Sequence, residues 1–154
     1  MRVIVAAVND DCSAHLALSA EGICHEVIMC NGEFGYSEHF KAWWRTGHGF
    51  ILIEHDIAPW VGAVRQLAEC PRDWCSFRYS KSGHTIHALG CVKFSTRLVK
   101  TIPNLPDRWD QCTWQTLENQ VLPAIAEALR RDEPSRMPVC KHSPPVAHVR
   151  RLDN

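Results

Sequence analysis

Glu54 and Asp56 stand one residue apart at the end of a run of large apolar residues, Phe50-Ile51-Leu52-Ile53. Two carboxylates at that spacing can hold a hard divalent cation, and such a cation usually works on phosphate oxygens. Trp114 and Glu118 are four residues apart, so on a helix they share one face, an aromatic platform beside an acid or base. Asp110 is a second acid in the same region. His142 and His148 flank Pro144-Pro145-Val146 and add two imidazoles, ligands that suit Mn²⁺ better than Mg²⁺. Lys93, Arg97, Lys100 and Arg108 put four cations within sixteen residues, a patch able to grip phosphates.

Each group also has a plainer reading. Asp56 would serve equally as the cap of a following helix, with Glu54 a solvated strand end. The histidines would sit in a solvated loop, the helix would bury Trp114 and expose Glu118, and the cations would line a solvated helix face.

The elements that must position these residues follow from the same stretch. Four consecutive large apolar residues, half of them β-branched, predict a strand buried on both faces, as in the parallel sheet of an α/β domain. Ligands of open α/β sheets bind beyond the carboxyl ends of the strands, which is where Glu54 and Asp56 fall. Arg2–Val8 and His25–Cys30 read as further strands. Ser37–Arg45 reads as a helix capped by Ser37, with Phe40, Trp43 and Trp44 at helical spacing. Pro59 opens a helix with Val61, Val64, Leu67 and Ala68 on its apolar face, and Pro71 closes it. Trp74–Tyr79 and Thr85–Leu89 form a hairpin around Ser80-Lys81-Ser82-Gly83. Cys91–Val99 reads as a short amphipathic piece, and 103–110 as a loop. Thr113–Arg131 is a helix interrupted at Pro123, where an interior proline costs about 3 kcal/mol. The alternation predicts a single α/β domain over 1–154, with a mixed central sheet and helices on both faces.

Composition narrows the class. The chain has 154 residues, enough for one well-buried core, and 17 basic residues balance 17 acidic ones. No global field draws it onto nucleic acid or anionic lipid. No apolar run approaches membrane-spanning length. The start, Met1-Arg2-Val3-Ile4-Val5, runs into Asn9-Asp10-Asp11 and reads as a first strand rather than a signal peptide. Eight cysteines are present without a CxxC pair, several of them inside apolar stretches. They read as reduced core residues of a cytoplasmic protein, in the host cytoplasm if the source is viral.

The segment Phe50-Ile51-Leu52-Ile53-Glu54-His55-Asp56-Ile57, a helix from Pro59 and a strand at Trp74-Cys75 together resemble the DxD region of nucleotide-sugar glycosyltransferases of the GT-A fold. Leu89-Gly90-Cys91-Val92-Lys93-Phe94-Ser95 resembles that family's small-residue segment ahead of the acceptor region, and Trp114-Gln115-Thr116-Leu117-Glu118 its Trp-x-x-x-acid element. The match covers about residues 50 to 150 and is most similar to the compact glycosyltransferase-like proteins of bacteriophages. Two departures stand out: Glu54 replaces the usual leading Asp, and the chain is short for the fold.

The resemblance implies an abbreviated GT-A-like domain using Mn²⁺ or Mg²⁺ and a nucleotide-sugar donor, with a UDP-sugar favoured. It implies Asp56 as a metal ligand, His148 or alternatively His142 as a second, and Glu54 on the ribose or a metal-bound water. Asn9 and Asp10 would hold uracil or ribose; both are also ordinary turn residues. Glu118, with Asp110 second, would act as the acid or base. Trp114, Lys93, Arg97 and Lys100 would meet the acceptor, for which the phage likeness suggests a 5-hydroxymethylpyrimidine in double-stranded DNA. No membrane partner is expected. Two other functions stand beside this one: a zinc module built from Cys140, His142 and His148 with Cys112, and an inactive glycosyltransferase-like binding protein.

Overall fold

The computed structural model describes residues 1–8, 12–81, 84–132 and 139–148; at 79–81, 84–88, 115, 129–132, 139–141, 143 and 148 the description is of the backbone. The strands are β1 (Arg2–Ala7), β2 (Glu26–Met29), β3 (Phe50–Glu54), β4 (Ile57–Ala58), β5 (Trp74–Lys81), β6 (His84–Phe94) and β7 (Val139–His148). The helices are α1 (Ser13–Ala20), α2 (Gly35–Arg45), α3 (Ala63–Glu69), α4 (Thr96–Thr101) and α5 (Trp114–Asp132), with a 3₁₀ turn at Leu105–Arg108.

The sheet runs in the order β2-β1-β3-β6-β5-β7-β4. β2, β1 and β3 are mutually parallel, with Ile4 level with Glu26 and with Leu52. β6 enters antiparallel to both β3 and β5, so the sheet is mixed. The β3 run is buried throughout because it lies between β1 and β6 and is covered on both faces.

Side-chain parity along each strand sorts the core into two layers. Ile4, Ala6, Phe50, Leu52, Val92 and Phe94 face α2, α4 and α5. There Phe40, Trp44, Phe50 and Phe94 form a set of tilted and edge-on aromatic contacts with centroids 5.3 to 6.4 Å apart, each worth about 0.5–1.5 kcal/mol beyond its buried area. Val3, Val5, Ile51, Ile53, Cys75 and Phe77 face the other way, onto α1 and α3. The result is an α/β domain with a mixed central sheet and helices on both faces.

Local differences from the sequence reading have physical causes. α2 starts two residues before Ser37, which lies buried inside the helix and caps nothing. Pro59 opens no helix: the chain first pairs Ile57 and Ala58 with β7, and Gly62 at φ 93° precedes the start of α3 at Ala63. Asp56 therefore sits in the turn between β3 and β4, and the helix-cap reading of it does not apply. Cys91–Phe94 continues β6 instead of forming an amphipathic piece, and α4 begins only at Thr96, capped by Ser95. The helix α1, for which no expectation was made, packs Ala14 and Leu18 onto the sheet.

Among the described residues no two cysteines are joined by a disulfide, and Cys12, Cys30, Cys75, Cys91 and Cys112 are buried. Among the described residues no helix is long and apolar enough to cross a membrane.

Candidate active site

β1, β2 and β3 are parallel, so their carboxyl ends open together, and a cleft of about 440 Å³ lies there. Its walls are Val8 after β1, Cys30, Gly32 and Glu33 after β2, Tyr36 on α2, His55 after β3, and Thr113 and Trp114 at the start of α5. This is the position that open α/β sheets offer to ligands.

The loop between β2 and α2 is held close to the sheet. The Cys30 N–H donates to the Ala7 carbonyl at 2.7 Å, and a Cβ on Gly35 would stand 2.9 Å from the Cys30 carbonyl carbon. Only a glycine at 35 lets α2 start so near the strand end. His55 is held by its own backbone: its N–H donates to Ala6 and its carbonyl accepts from Ala14.

Glu54 has the parity of Phe50 and Leu52, so its side chain points toward α2, where the Tyr36 hydroxyl donates to it at 3.2 Å. Both are buried, at 6% and 1% exposure. Glu54 is thus no solvated strand end. The Tyr36 phenol is pushed well above its ordinary pKa by burial first, then by the nearby Glu54, Cys30 and Glu118. It keeps its proton and remains a donor. Burial likewise pushes the Cys30 thiol up to about 11.

Trp114 stacks on Tyr36 with ring centroids 3.9 Å apart and meets His55 edge-on at 5.5 Å. Glu118, one turn further along α5, accepts the Leu89 N–H at 3.2 Å. The structure therefore brings Glu54, Trp114 and Glu118 together around Tyr36. Tyr36, His55, Cys30 and Glu33 were not singled out from sequence. Tyr36 meets Glu54 across 18 positions, and the available hint was parity, which turns Glu54 toward the aromatic helix.

Asp56 follows His55 in the β3–β4 turn, and in the adjacent short ladder the backbone of Ile57 pairs with that of His148. His142 lies elsewhere. Its register partner is Phe77 in β5, whereas the backbone of His148 pairs with Ile57 in β4, and the His142 ring sits 5.2 Å from Phe77. Burial and the charge of Lys93 lower the His142 pKa.

The remaining expected residues disperse. Asn9 and Asp10 lie outside the described residues, just past Val8. Asp110 is exposed and is not part of the cleft wall; its carbonyl accepts from Lys41 at 2.8 Å. Lys93 is 2% exposed and hydrogen-bonds to the Cys70 carbonyl, so it cannot belong to a surface patch. Arg97 pairs with Asp73 at 2.9 and 2.5 Å. Arg97 and exposed Lys100 both follow the end of β6, level with the amino end of β3, at the opposite end of the sheet from the cleft. Arg108 approaches Glu127 at 3.6 Å. The four cations thus form no patch beside Glu118, because a single antiparallel strand carries the chain away from the cleft. The zinc grouping through Cys112 also fails, since Cys112 is packed in the core layer under α2 and α5, while His142 contacts Phe77 on the other face.

With this geometry the chain is similar to the crystal structure of a glycosyltransferase involved in the glycosylation of the major capsid of PBCV-1. The TM-score is 0.54 at 10% sequence identity, covering 94% of this chain and 83% of that one. The shared property is the fold. A197 from STIV is also similar, with TM-score 0.48 and 8% identity over 65% of this chain and 68% of that one. No family model and no curated protein matches the sequence.

Proposed function

We propose that this chain transfers a sugar from a nucleotide sugar, a UDP-sugar by the GT-A resemblance, to an acceptor hydroxyl. The observation that carries the reading is the cleft at the carboxyl ends of β1, β2 and β3, bordered by the Glu54–Asp56 turn, in a chain with the fold of a glycosyltransferase. Mn²⁺ or Mg²⁺ would be held by Asp56 and His148. Their donor chemistry fits, a carboxylate and an imidazole suiting Mn²⁺ in particular, and the Ile57–His148 pairing supports their proximity. When bound, such a cation neutralises the charge that develops on the nucleoside diphosphate.

The chain's own groups divide the remaining work. Glu54, fixed by Tyr36, takes the ribose hydroxyls. The first turns of α2 and α5 border the cleft and offer backbone N–H groups to phosphate oxygens. Trp114 supplies an apolar wall for the acceptor, and the Glu118 carboxylate takes the proton of its hydroxyl as the new bond forms. Asn9 and Asp10 complete the donor site.

The acceptor we propose is a 5-hydroxymethylpyrimidine flipped out of duplex DNA, at a cost of a few kcal/mol. With no net charge, and with Lys93, Arg97, Lys100 and Arg108 forming no patch beside the cleft, the chain would bind DNA weakly and with steep salt dependence. Thermal-shift measurements with nucleotide sugars, with and without Mn²⁺, test the donor. A ligand at a hundred times its dissociation constant stabilises by about 2.7 kcal/mol, and the shift should need Mn²⁺ and vanish in Asp56→Asn. Incubation with hydroxymethylated and unmodified duplexes tests the acceptor. Donor hydrolysis without transfer to either duplex would remove DNA and leave the donor chemistry standing.

A further inference from the structure

On the other face of the sheet, away from the cleft, Cys70, Cys75 and His142 converge. Cys70 ends α3, Cys75 lies in β5 and His142 in β7. One ligand atom from each lies within 4.8 Å of the other two. The His142 Nε2 is buried and has no hydrogen-bond partner, a state that costs free energy unless something occupies the lone pair or takes the proton. The backbone of Cys140 pairs with that of Cys75, so a further cysteine stands at the register position opposite Cys75.

We infer that Cys70, Cys75 and His142 form a zinc site that fastens β7 to the body of the sheet. Two thiols and an imidazole are borderline-soft donors of the kind zinc selects. Zn–S and Zn–N bonds place tetrahedral donors roughly 3.6 Å apart, so the three atoms need move inward by only about 1 Å. Binding releases the two thiol protons, and two thiolates with a neutral imidazole bring Zn²⁺ to zero net charge. A neutral centre is compatible with the buried Lys93 ammonium, which bonds to the Cys70 carbonyl beside it.

β7 has a specific need for such a fastening. It contains Pro144 and Pro145, which donate nothing to a strand ladder. Its pairing with β5 is irregular between Phe77 and Tyr79. Its far end carries His148, so a metal at His142 would order the strand that reaches the Asp56 turn.

The test uses the full chain purified under reducing conditions without chelator, with zinc measured by elemental analysis and the site replaced by Co²⁺ for optical spectra. The inference expects one zinc per chain and thiolate-to-cobalt charge-transfer absorption. Cys70→Ser and His142→Gln, both at half-buried positions, should weaken zinc by more than the roughly tenfold that losing an outer-shell partner costs. Cys24→Ser, on the surface, and Asp56→Asn should leave zinc content unchanged, which separates this site from the one proposed at the cleft. Chelation should lower the melting temperature of the wild type and leave that of His142→Gln unmoved. Absence of zinc and of the cobalt–thiolate band in the wild type would overturn the inference. So would equal zinc retention in both ligand variants, or a Cys70–Cys75 disulfide in the native chain.

Discussion

Tyr36 orients a buried acid only while its phenol keeps its proton, and this sets two expectations. Tyr36→Phe removes one donor from the buried Glu54 carboxylate, which should cost about 1–3 kcal/mol in denaturant unfolding. The pH dependence has a definite sign. A folded pKa raised above the unfolded value means stability that is fully present below the ordinary tyrosine value of about 10 and lost as pH rises toward the folded value. Cys30, pushed up to about 11, acts with the same sign from the ordinary thiol value of about 8.5 upward. The melting temperature should therefore fall in alkali, and less steeply in Tyr36→Phe. Alkylation followed by mass spectrometry should label exposed Cys24 first and buried Cys30 and Cys91 last, the latter pushed up to about 12 by burial. Early labelling of Cys30 would contradict the closed packing between β2 and α2.

Between elements, a tight junction lies at Gly49, where the chain enters β3. A Cβ there would stand 2.7 Å from the Phe94 carbonyl oxygen, with the backbone of Ser95 as close and that of Thr96 closer still. Gly49→Ala should destabilise by about 1–3 kcal/mol, as overpacking against rigid backbone does; an unchanged unfolding midpoint would sink that expectation. The same junction shows what was legible in the sequence. Phe50–Glu54 could be read because an apolar run ending in acids has one plausible place in an α/β sheet. Cys91–Phe94 reads as an amphipathic piece rather than strand because Gly90 and Lys93 interrupt its apolar pattern, and nothing local announces that the end of α3 supplies a carbonyl to the Lys93 side chain. α1 went unread because its two buried residues, Ala14 and Leu18, make too narrow an apolar stripe. Within the site, Trp114 and Glu118 were legible through helical spacing. Tyr36 and His55 were not, since their roles come from packing between segments.

On the scale of the whole molecule, the sheet separates two ends. The cleft opens at the carboxyl ends of β1, β2 and β3, while Arg97 and Lys100 lie at the opposite end. Arg97→Glu combined with Lys100→Glu should therefore leave transfer to any acceptor unchanged, while lowering stability through loss of the Arg97–Asp73 pair and repulsion between the new carboxylate and Asp73. A loss of transfer in that variant would place the acceptor path across the far end of the sheet. The central claim is that the cleft beside the Glu54–Asp56 turn turns over a nucleotide sugar with a divalent cation. Its most direct test is nucleoside diphosphate release from nucleotide sugars by wild type and Asp56→Asn, each with Mn²⁺ and with chelator, alongside their melting temperatures. The account predicts Mn²⁺-dependent release by the wild type, none by Asp56→Asn, and nearly equal melting temperatures. Undiminished release by Asp56→Asn, or release by the wild type that ignores chelation, would contradict it.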